Sequence, residues 1–369
     1  MSPYAFNLEF GLSSSFICFL EYAVNGVSSL DDKHDWGDQI TEERRGERHS
    51  HEEFNALIAI KINKLCENSS AQMLVKSVYR LAEELLSGKT DLLMDFHKTF
   101  KVYAVVSAPR HGGTYMIKSL LNGFGYRHED YPAWFIHDGI PDTRPQYYSP
   151  TSAGVLSFSQ HTVMQMAEWM VMAAFFGNNM KATDGRFMLP KKFCKAVYAG
   201  SFFKDILGPS AHYIVGVRHP VAAAISLYEQ SGCLPTGAMF PHRPRSIIEL
   251  WIYRSLIHMG FSDTEIYGMP YFIAYLHYWS DYHQKLVMSG LISRSSNLQI
   301  IPYKKNSYEE FAINCGTRQF TNPESFFVTR KLDRHPDWSE LAYPVITLIA
   351  ALWNSRGLCF PVDEVMEGW

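Results

Sequence analysis

Two arginines in this chain follow short apolar runs, where a buried strand would give way to a turn. The first, Arg110, lies in Ser107–Tyr115, which reads Ser-Ala-Pro-Arg-His-Gly-Gly-Thr-Tyr after the run Val102–Val106. Glycines let a backbone approach a ligand closely, and the N–H groups at a helix start carry partial positive charge. We therefore predict a strand-to-helix loop that binds phosphate, with Thr114 as a hydroxyl donor. The alternative is a glycine-rich turn with a surface arginine.

The second arginine, Arg218, follows the apolar run His212–Val217. Pro220 then begins a predicted helix, and Ser226 lies eight residues beyond Arg218, about two helical turns. Open α/β sheets bind ligands at the carboxyl ends of their strands. Arg218 and Ser226 are therefore predicted to contact an anion as well.

Together, the two segments resemble the sulfotransferases that use 3′-phosphoadenosine 5′-phosphosulfate (PAPS). Their first motif, Pro-Lys/Arg-Ser-Gly-Thr-Thr-Trp, is matched by Pro109–Tyr115, and their second, Arg-x-Pro-x-x-x-x-x-Ser-x-Tyr, by Arg218–Tyr228. The resemblance implies that the second motif binds the 3′-phosphate through Arg218 and Ser226. The expected contacts of the first motif with the 5′-phosphosulfate are Arg110, His111, Gly112, Gly113, Thr114 and Tyr115.

Weaker similarities follow in the order of that family. The predicted strand Leu298–Ile301 leads into Tyr303, where the family strand also ends in a tyrosine. Arg330 and Lys331 are similar to a late Arg-Lys-Gly that closes on the 3′-phosphate, although the glycine itself is replaced. The resemblance thus adds Tyr303, Arg330 and Lys331 to the expected donor contacts.

The acceptor of a sulfuryl group must lose a proton, and the family's cytosolic members use the histidine of Lys-Thr-His on a strand between the two motifs. The matching stretch, Met180–Pro190, holds Lys181 but no histidine, and Asp184 is its nearest candidate base. An Asp-Gly pair is also common in plain turns, so a turn is the alternative for Asp184. His161 and His137 are rival bases, each also explained as a surface or core histidine. The predicted catalytic residues are thus the first arginine, Lys181 and Asp184.

Strand-like and helix-like segments alternate from residue 101 onward. Short apolar runs predict strands at Val102–Val106, Met180–Thr183, His212–Val217 and Leu298–Ile301. Helical patterns are found at Gly112–Phe124, Gln160–Phe176, Pro220–Gln230, Tyr271–Val287, Ser307–Asn314 and Trp338–Trp353. This alternation indicates an α/β fold with a mostly parallel sheet flanked by helices. The resemblance implies, more specifically, a P-loop NTPase-like sulfotransferase fold.

The first hundred residues have a different pattern. Residues 29–53 are dense in charge and are predicted to be a solvated loop. Two amphipathic helices follow, over Phe54–Leu65 and Leu74–Leu85, the second stopped near Gly88. We predict an N-terminal helical cap or subdomain over residues 1–100 and a sulfotransferase-like α/β domain over 101–369.

Composition limits the classes of partner. The 369 residues carry a formal net charge of −3, so no global basic field attracts nucleic acid or an anionic membrane. Six cysteines are scattered without a Cys-x-x-Cys pair, which favours a reducing cytoplasm over a zinc cluster or a disulfide framework. The apolar stretch Phe10–Leu20 is too short for a membrane span and lacks the positive start of a signal peptide. We expect a cytoplasmic protein without nucleic-acid or membrane partners, and a homodimer is left open.

The activity that the resemblance implies is transfer of a sulfuryl group from PAPS to a hydroxyl or amine of a small soluble acceptor. The transfer would be an in-line displacement that needs positioning and charge stabilisation but no metal. One alternative is a nucleotide-dependent small-molecule kinase, although the lysine of a Walker A loop is absent. The other is a non-catalytic nucleotide-binding protein with a decayed site, which the missing histidine favours.

Overall fold

The computed structural model of the protein describes residues 12–26, 60, 62–127, 130–137, 152–177, 182–183, 185–230, 239–242, 247–295, 297–314 and 336–367. The predicted charged loop at 29–53 lies outside these residues. The strands are β1 Phe100–Ser107, β2 Ala182–Thr183, β3 Arg186–Lys192, β4 His212–Val217 and β5 Leu298–Pro302.

The helices are α1 Ser14–Asn25, α2 Ser69–Leu86, α3 Asp91–Thr99, α4 Gly113–Gly123, α5 Ala133–Ile136, α6 Ser152–Gly177, α7 Gly200–Leu207, α8 Pro220–Gln230, α9 Ile247–His258, α10 Asp263–Tyr267, α11 Tyr271–Met288, α12 Lys305–Asn314, α13 Pro336–Ser355 and α14 Val362–Glu367, with a 3₁₀ helix at Cys194–Ala199. Over the described ranges, none of these helices combines the length and the apolar character that crossing a bilayer requires.

The sheet has the order β2-β3-β1-β4-β5. Strands β3, β1, β4 and β5 run parallel, and the two-residue β2 is antiparallel to β3. The prediction of an α/β chain with a mostly parallel sheet flanked by helices is therefore confirmed. Strand β1 is buried along its length except at Lys101, as expected for a parallel strand covered on both faces.

The order in which the chain adds strands reverses between β1 and β4. After β1 the chain adds β3 on one side of it, and then returns to add β4 on the other side. The connections that follow β1 and β4 therefore diverge from the carboxyl ends of two adjacent strands. Such a reversal of strand order is where open α/β sheets bind ligands.

Most elements predicted for this part of the chain are confirmed. Helix α8 has its predicted bounds, and α4 buries Met116, Leu120 and Phe124 as the pattern requires. Helix α6 begins at Ser152, earlier than predicted. The sequence does not predict helices α5, α7, α9, α10 and α14.

Strand β3 is the main element that the sequence does not predict. It contains Pro190 and ends in two lysines, and prolines are excluded from the interior of sheets by their missing N–H. The structure resolves this conflict because β2 pairs only with Arg186 and Phe187. At Pro190, no strand of the described ranges pairs with the outer side of β3, so no N–H is required there.

The chain divides into two compact units. The first contains the described residues up to Phe96 together with α6, and the second contains those of 97–137 and from Ala182 onward. In the first unit, α2 confirms the helix predicted at Leu74–Leu85 and packs against α6.

A buried carboxyl group joins α1 to α6 in the first unit. Ser13 caps α1 by accepting a hydrogen bond from the Phe16 N–H at 3.1 Å. Ser13 also donates its own N–H to Glu168 Oε1 at 2.7 Å and its hydroxyl to Oε2 at 2.5 Å. Burial raises the pKa of Glu168 from 4.5 to about 8, although both Ser13 hydrogen bonds oppose the shift.

This raised pKa predicts a pH-dependent stability. The folded protein keeps a proton on Glu168 that the unfolded chain releases, so stability is full below about pH 4.5 and falls as the pH rises to about 8. The loss is at most about 5 kcal/mol. Glu168→Gln removes the charge and keeps an oxygen that accepts from the Ser13 N–H, while its amide N–H can donate to Ser13 Oγ where Oε2 accepted. We expect the free energy of unfolding of Glu168→Gln, measured by denaturation from pH 5 to 9, to change little with pH. The exposed control Glu83→Gln should still lose stability as the pH rises. A decline unchanged in Glu168→Gln would contradict the assignment.

Candidate active site at the carboxyl edge of the sheet

Four parallel strands end side by side and bring polar residues to one edge. The pairs Val105–Lys192, Ser107–Gly216 and Val217–Pro302 fix the register of these strand ends. In sheet order, this edge therefore carries Lys192, Ser107, Arg218 and Tyr303.

The loop after β1 has an unusual backbone. Arg110 has φ of 68°, the single left-handed non-glycine residue among those described, and Gly112 has φ of 80°. Two side chains from elsewhere in the second unit hold this conformation. Arg218 Nη1 donates to the Arg110 carbonyl at 2.9 Å, and the Tyr308 hydroxyl donates to the His111 carbonyl at 3.1 Å.

Helix α4 begins directly after this loop. Its first residue is Gly113, and Gly112 supplies no side-chain cap for the N–H groups of the first turn. Uncapped N–H groups at a helix start carry partial positive charge and bind anions. Thr114 is exposed in that turn and Tyr115 is half-buried. The loop therefore has the phosphate-binding geometry predicted from its sequence.

The side chain of Arg110 reaches the helix that follows β4. Its Nε and Nη2 atoms both donate to Ser226 Oγ, at 3.0 and 2.9 Å. Because Ser226 accepts both bonds, its own proton is directed elsewhere. Among the described residues, no carboxylate forms an ion pair with Arg110.

A second guanidinium group lies close to the first. Arg218 is buried, and its Cζ lies 4.1 Å from the centre of the Tyr303 ring. Burial lowers the pKa of Arg110 and of Arg218, and for Arg218 the positive charge of Arg110 lowers it further. Two like charges at a buried site favour the binding of an anion between or beside them.

Two hydroxyl groups at this site are buried without a hydrogen-bond partner among the described residues. They are Ser107 Oγ, at the end of β1, and the Tyr275 hydroxyl, on α11. Burial raises the pKa of Tyr275, and Arg218 and Arg110 act against that rise, so its hydroxyl is a neutral donor near both guanidinium groups. Buried polar atoms are normally paired, so a ligand oxygen is a natural partner for each.

Lys192 and Tyr275 are the site residues that the sequence does not reveal. A Cβ on Gly113 would lie 2.8 Å from Lys192 Cε and 2.7 Å from Ser107 Oγ. Gly113 therefore leaves room for the Lys192 side chain beside the start of α4. Recognition of Lys192 requires β3 to be identified and aligned with β1. The signal for Tyr275 is weaker, since an aromatic helix is typical of a core.

His111 makes its contacts within the protein and does not point a free donor at the site. Its Nδ1 lies 3.0 Å from the Pro109 carbonyl, and its Nε2 accepts a hydrogen bond from Trp279. Its backbone N–H donates to the Ala108 carbonyl at 3.2 Å. Burial lowers the pKa of His111 to about 3, so the ring is neutral. All three nitrogens are thus engaged within the protein.

The other predicted site residues are only partly covered by the structure. Lys181, Asp184, Arg330 and Lys331 lie outside the described residues, as does the side chain of His161. Thr183 pairs with Arg186 at the amino edge of the sheet, opposite the anion loop, and Gly185 between them has φ of 76°.

His137, the remaining predicted base, lies in the described part of the chain. Lys191 Nζ donates to the His137 carbonyl at 2.6 Å and to the Phe135 carbonyl at 2.7 Å. Lys191 alternates with Lys192 along β3, so the two side chains leave opposite faces of the sheet.

Gly112→Ala tests how closely the loop is fitted. An added Cβ would overlap the Tyr308 hydroxyl oxygen and lie 3.0 Å from Tyr303 Cε2, in a backbone conformation that L side chains rarely adopt. Gly185→Ala is a matched control, because Gly185 has a similar φ but nothing lies within 4 Å of its Cβ position. We expect Gly112→Ala to lose at least ~2 kcal/mol more in the free energy of unfolding than the control. Equal losses would mean that Tyr308 does not fix the loop.

No family model, curated protein or solved structure matches this chain.

Proposed function

We propose that the protein is a PAPS-dependent sulfotransferase and that its second unit has the P-loop NTPase-like sulfotransferase fold. The observation that carries the proposal is the convergence of Arg110, Arg218 and Ser226 at the reversal of strand order between β1 and β4. Two guanidinium groups and a hydroxyl beside an uncapped helix start suit a ligand with more than one phosphate. This supports the reading that the sequence resemblance suggests.

The donor fits this set of residues by its chemistry. In the proposal, Arg110 and the N–H groups at Gly112 and Gly113 bind the 5′-phosphosulfate. Arg218 and Ser226 bind the 3′-phosphate. The Ser226 oxygen accepts from Arg110, so the Ser226 hydroxyl can donate its own proton to a phosphate oxygen. Guanidinium and backbone N–H groups are the usual partners of phosphate oxygens.

The unpartnered hydroxyls support the same assignment. Ser107 Oγ lies beside Gly113, and the Tyr275 hydroxyl lies near both guanidinium groups. Each can donate one hydrogen bond to a phosphate or sulfate oxygen. Binding of the donor would therefore remove two unsatisfied buried groups.

The donor supplies an activated sulfuryl group. The acceptor oxygen or nitrogen forms a bond to sulfur as the bond from sulfur to the 5′-phosphate oxygen breaks, and the acceptor proton passes to a base. The other product is 3′-phosphoadenosine 5′-phosphate (PAP). Arg110 stabilises the charge that develops on the leaving oxygen, which is the main contribution required of the protein.

In the proposal, Lys192 is a second cation beside the transferred group, and Lys181 stays a catalytic residue predicted from the sequence. The place of Lys192 at the end of β3, next to Gly113 and Ser107, supports its assignment. For the base, Asp184, His161 and His137 stand as predictions from the sequence.

The test compares the affinities of several nucleotides and the transfer of sulfate from PAPS with the transfer of phosphate from ATP. Calorimetry should give tighter binding of PAP than of ADP or adenosine 5′-phosphate, by at least about tenfold, because the 3′-phosphate gains charged hydrogen bonds. Radiolabelled PAPS should sulfate a member of a panel of phenols, alcohols and amines. ATP with magnesium is the comparison donor. Equal binding of PAP and ADP, or phosphate transfer from ATP, would refute the proposal.

A further inference from the structure

A single indole N–H connects the two arginine loops. Trp279 lies on α11 and is fully buried. Its Nε1 lies 3.0 Å from His111 Nε2 and 3.2 Å from the Arg218 carbonyl oxygen. His111 belongs to the loop after β1 and Arg218 to the connection after β4. One donor from outside both loops therefore contacts both.

The contact fixes the protonation state of His111. A carbonyl oxygen only accepts, so the Nδ1 atom that lies 3.0 Å from the Pro109 carbonyl carries the proton. An indole N–H only donates, so Nε2 offers its lone pair to Trp279. His111 is thus the neutral Nδ1–H tautomer, with its Nδ1–H directed at the Pro109 carbonyl and its Nε2 lone pair at Trp279.

The loop needs such support because of its backbone. A non-glycine residue with the φ of Arg110 is strained and persists only where its surroundings fix it. The Arg110 carbonyl is held by Arg218, and the His111 carbonyl is held by Tyr308. The Trp279 contact adds the His111 ring to this set and ties it to the backbone of Arg218.

We propose that Trp279 is a positioning residue that sets the separation of the two anion-binding loops, with His111 as its acceptor in the first loop. A fixed separation favours a ligand that presents two anionic groups at a matching distance. It also gives a role to His111, which stands where the resembled loop has a serine. The functional consequence rests on the proposed donor site, but the contact itself does not.

The experiment removes the N–H with little change of shape. Replacement of Trp279 by 3-benzothienylalanine exchanges the N–H for sulfur, and Trp279→Phe is the simpler second variant. Trp353→Phe is the matched control, because Trp353 is equally buried in the same aromatic cluster but donates its Nε1 to the His283 carbonyl at 3.1 Å and not to either loop. Binding of PAP and of inorganic pyrophosphate is measured by calorimetry, and the His111 ring nitrogens by ¹⁵N NMR.

We expect the sulfur analogue to weaken PAP binding roughly tenfold, because two buried acceptors lose their shared donor. Amide resonances of Gly112 and His219 should shift together. Trp353→Phe should lower stability but leave affinity within about twofold of wild type. Wild-type affinity for both ligands in the sulfur analogue, or a proton on Nε2 of His111, would overturn the proposal.

The same measurements separate this inference from the proposed function. If the wild-type protein binds pyrophosphate but binds PAP no more tightly than ADP, the sulfotransferase proposal fails. The affinities of the Trp279 variants are then compared for pyrophosphate. If neither ligand binds, the ¹⁵N spectrum of His111 and the paired shifts at Gly112 and His219 decide whether Trp279 positions the loops.

Discussion

Arg110→Gly is expected to lower the rate of sulfuryl transfer by ~100- to 1,000-fold while stability stays within about 1 kcal/mol of wild type. The guanidinium group is the proposed partner of the leaving oxygen, so its loss removes charge stabilisation in the transition state. The left-handed φ of 68° is unfavourable in free energy for residues other than glycine. This substitution therefore relieves backbone strain while it removes the guanidinium group. Greater freedom of the unfolded chain offsets part of that gain. Steady-state kinetics with PAPS and chemical denaturation measure the two effects.

Two further variants make the interpretation specific. Arg110→Lys keeps a positive charge but cannot repeat the paired donation to Ser226 Oγ, so an intermediate rate is expected. Arg127→Met removes an exposed arginine that pairs with Asp130, three residues along the chain, and both rate and affinity should remain unchanged. If Arg110→Gly transfers sulfate at the wild-type rate, Arg110 does not act on the leaving group.

Arg218→Met is expected to abolish the preference for a nucleotide with a 3′-phosphate. Affinity for PAP should fall about a hundredfold, as expected for loss of buried hydrogen bonds to a charged ligand. The affinity for adenosine 5′-phosphate should fall less, and only because Arg218 no longer donates to the Arg110 carbonyl. The ratio of the two dissociation constants, measured by calorimetry, is the decisive quantity.

Arg218→Lys provides the control for charge. An ammonium group cannot both contact the face of the Tyr303 ring and donate to the Arg110 carbonyl in the way a guanidinium group does. We therefore expect a smaller loss of PAP affinity than in Arg218→Met, with part of the preference retained. A ratio that stays at the wild-type value in Arg218→Met would place the 3′-phosphate elsewhere.

The two arginine loops could be predicted because their signals are local. Val102–Val106 and His212–Val217 are short apolar runs, and each is followed by residues typical of a turn and a helix start. For these loops, local preference and tertiary structure agree.

The remainder of the site depends on contacts between residues far apart in the chain. Lys192 belongs to a strand that contains a proline, and its position becomes clear only from the pairing of β3 with β1. Tyr275 and Trp279 lie on an aromatic helix whose pattern is the same whether it packs a core or lines a site. The acceptor that Trp279 finds in His111 is 168 positions away in sequence, beyond any local pattern.

The grouping of α6 with α1 and α2 makes the first unit discontinuous in the chain. The polypeptide leaves the sheet unit after α5, contributes α6 to the other unit, and re-enters at β2. No single cut in the chain can therefore yield both units intact, and a fragment beginning at residue 101 would carry α6 without its packing partners. Both units therefore have to be expressed together, as one uninterrupted chain.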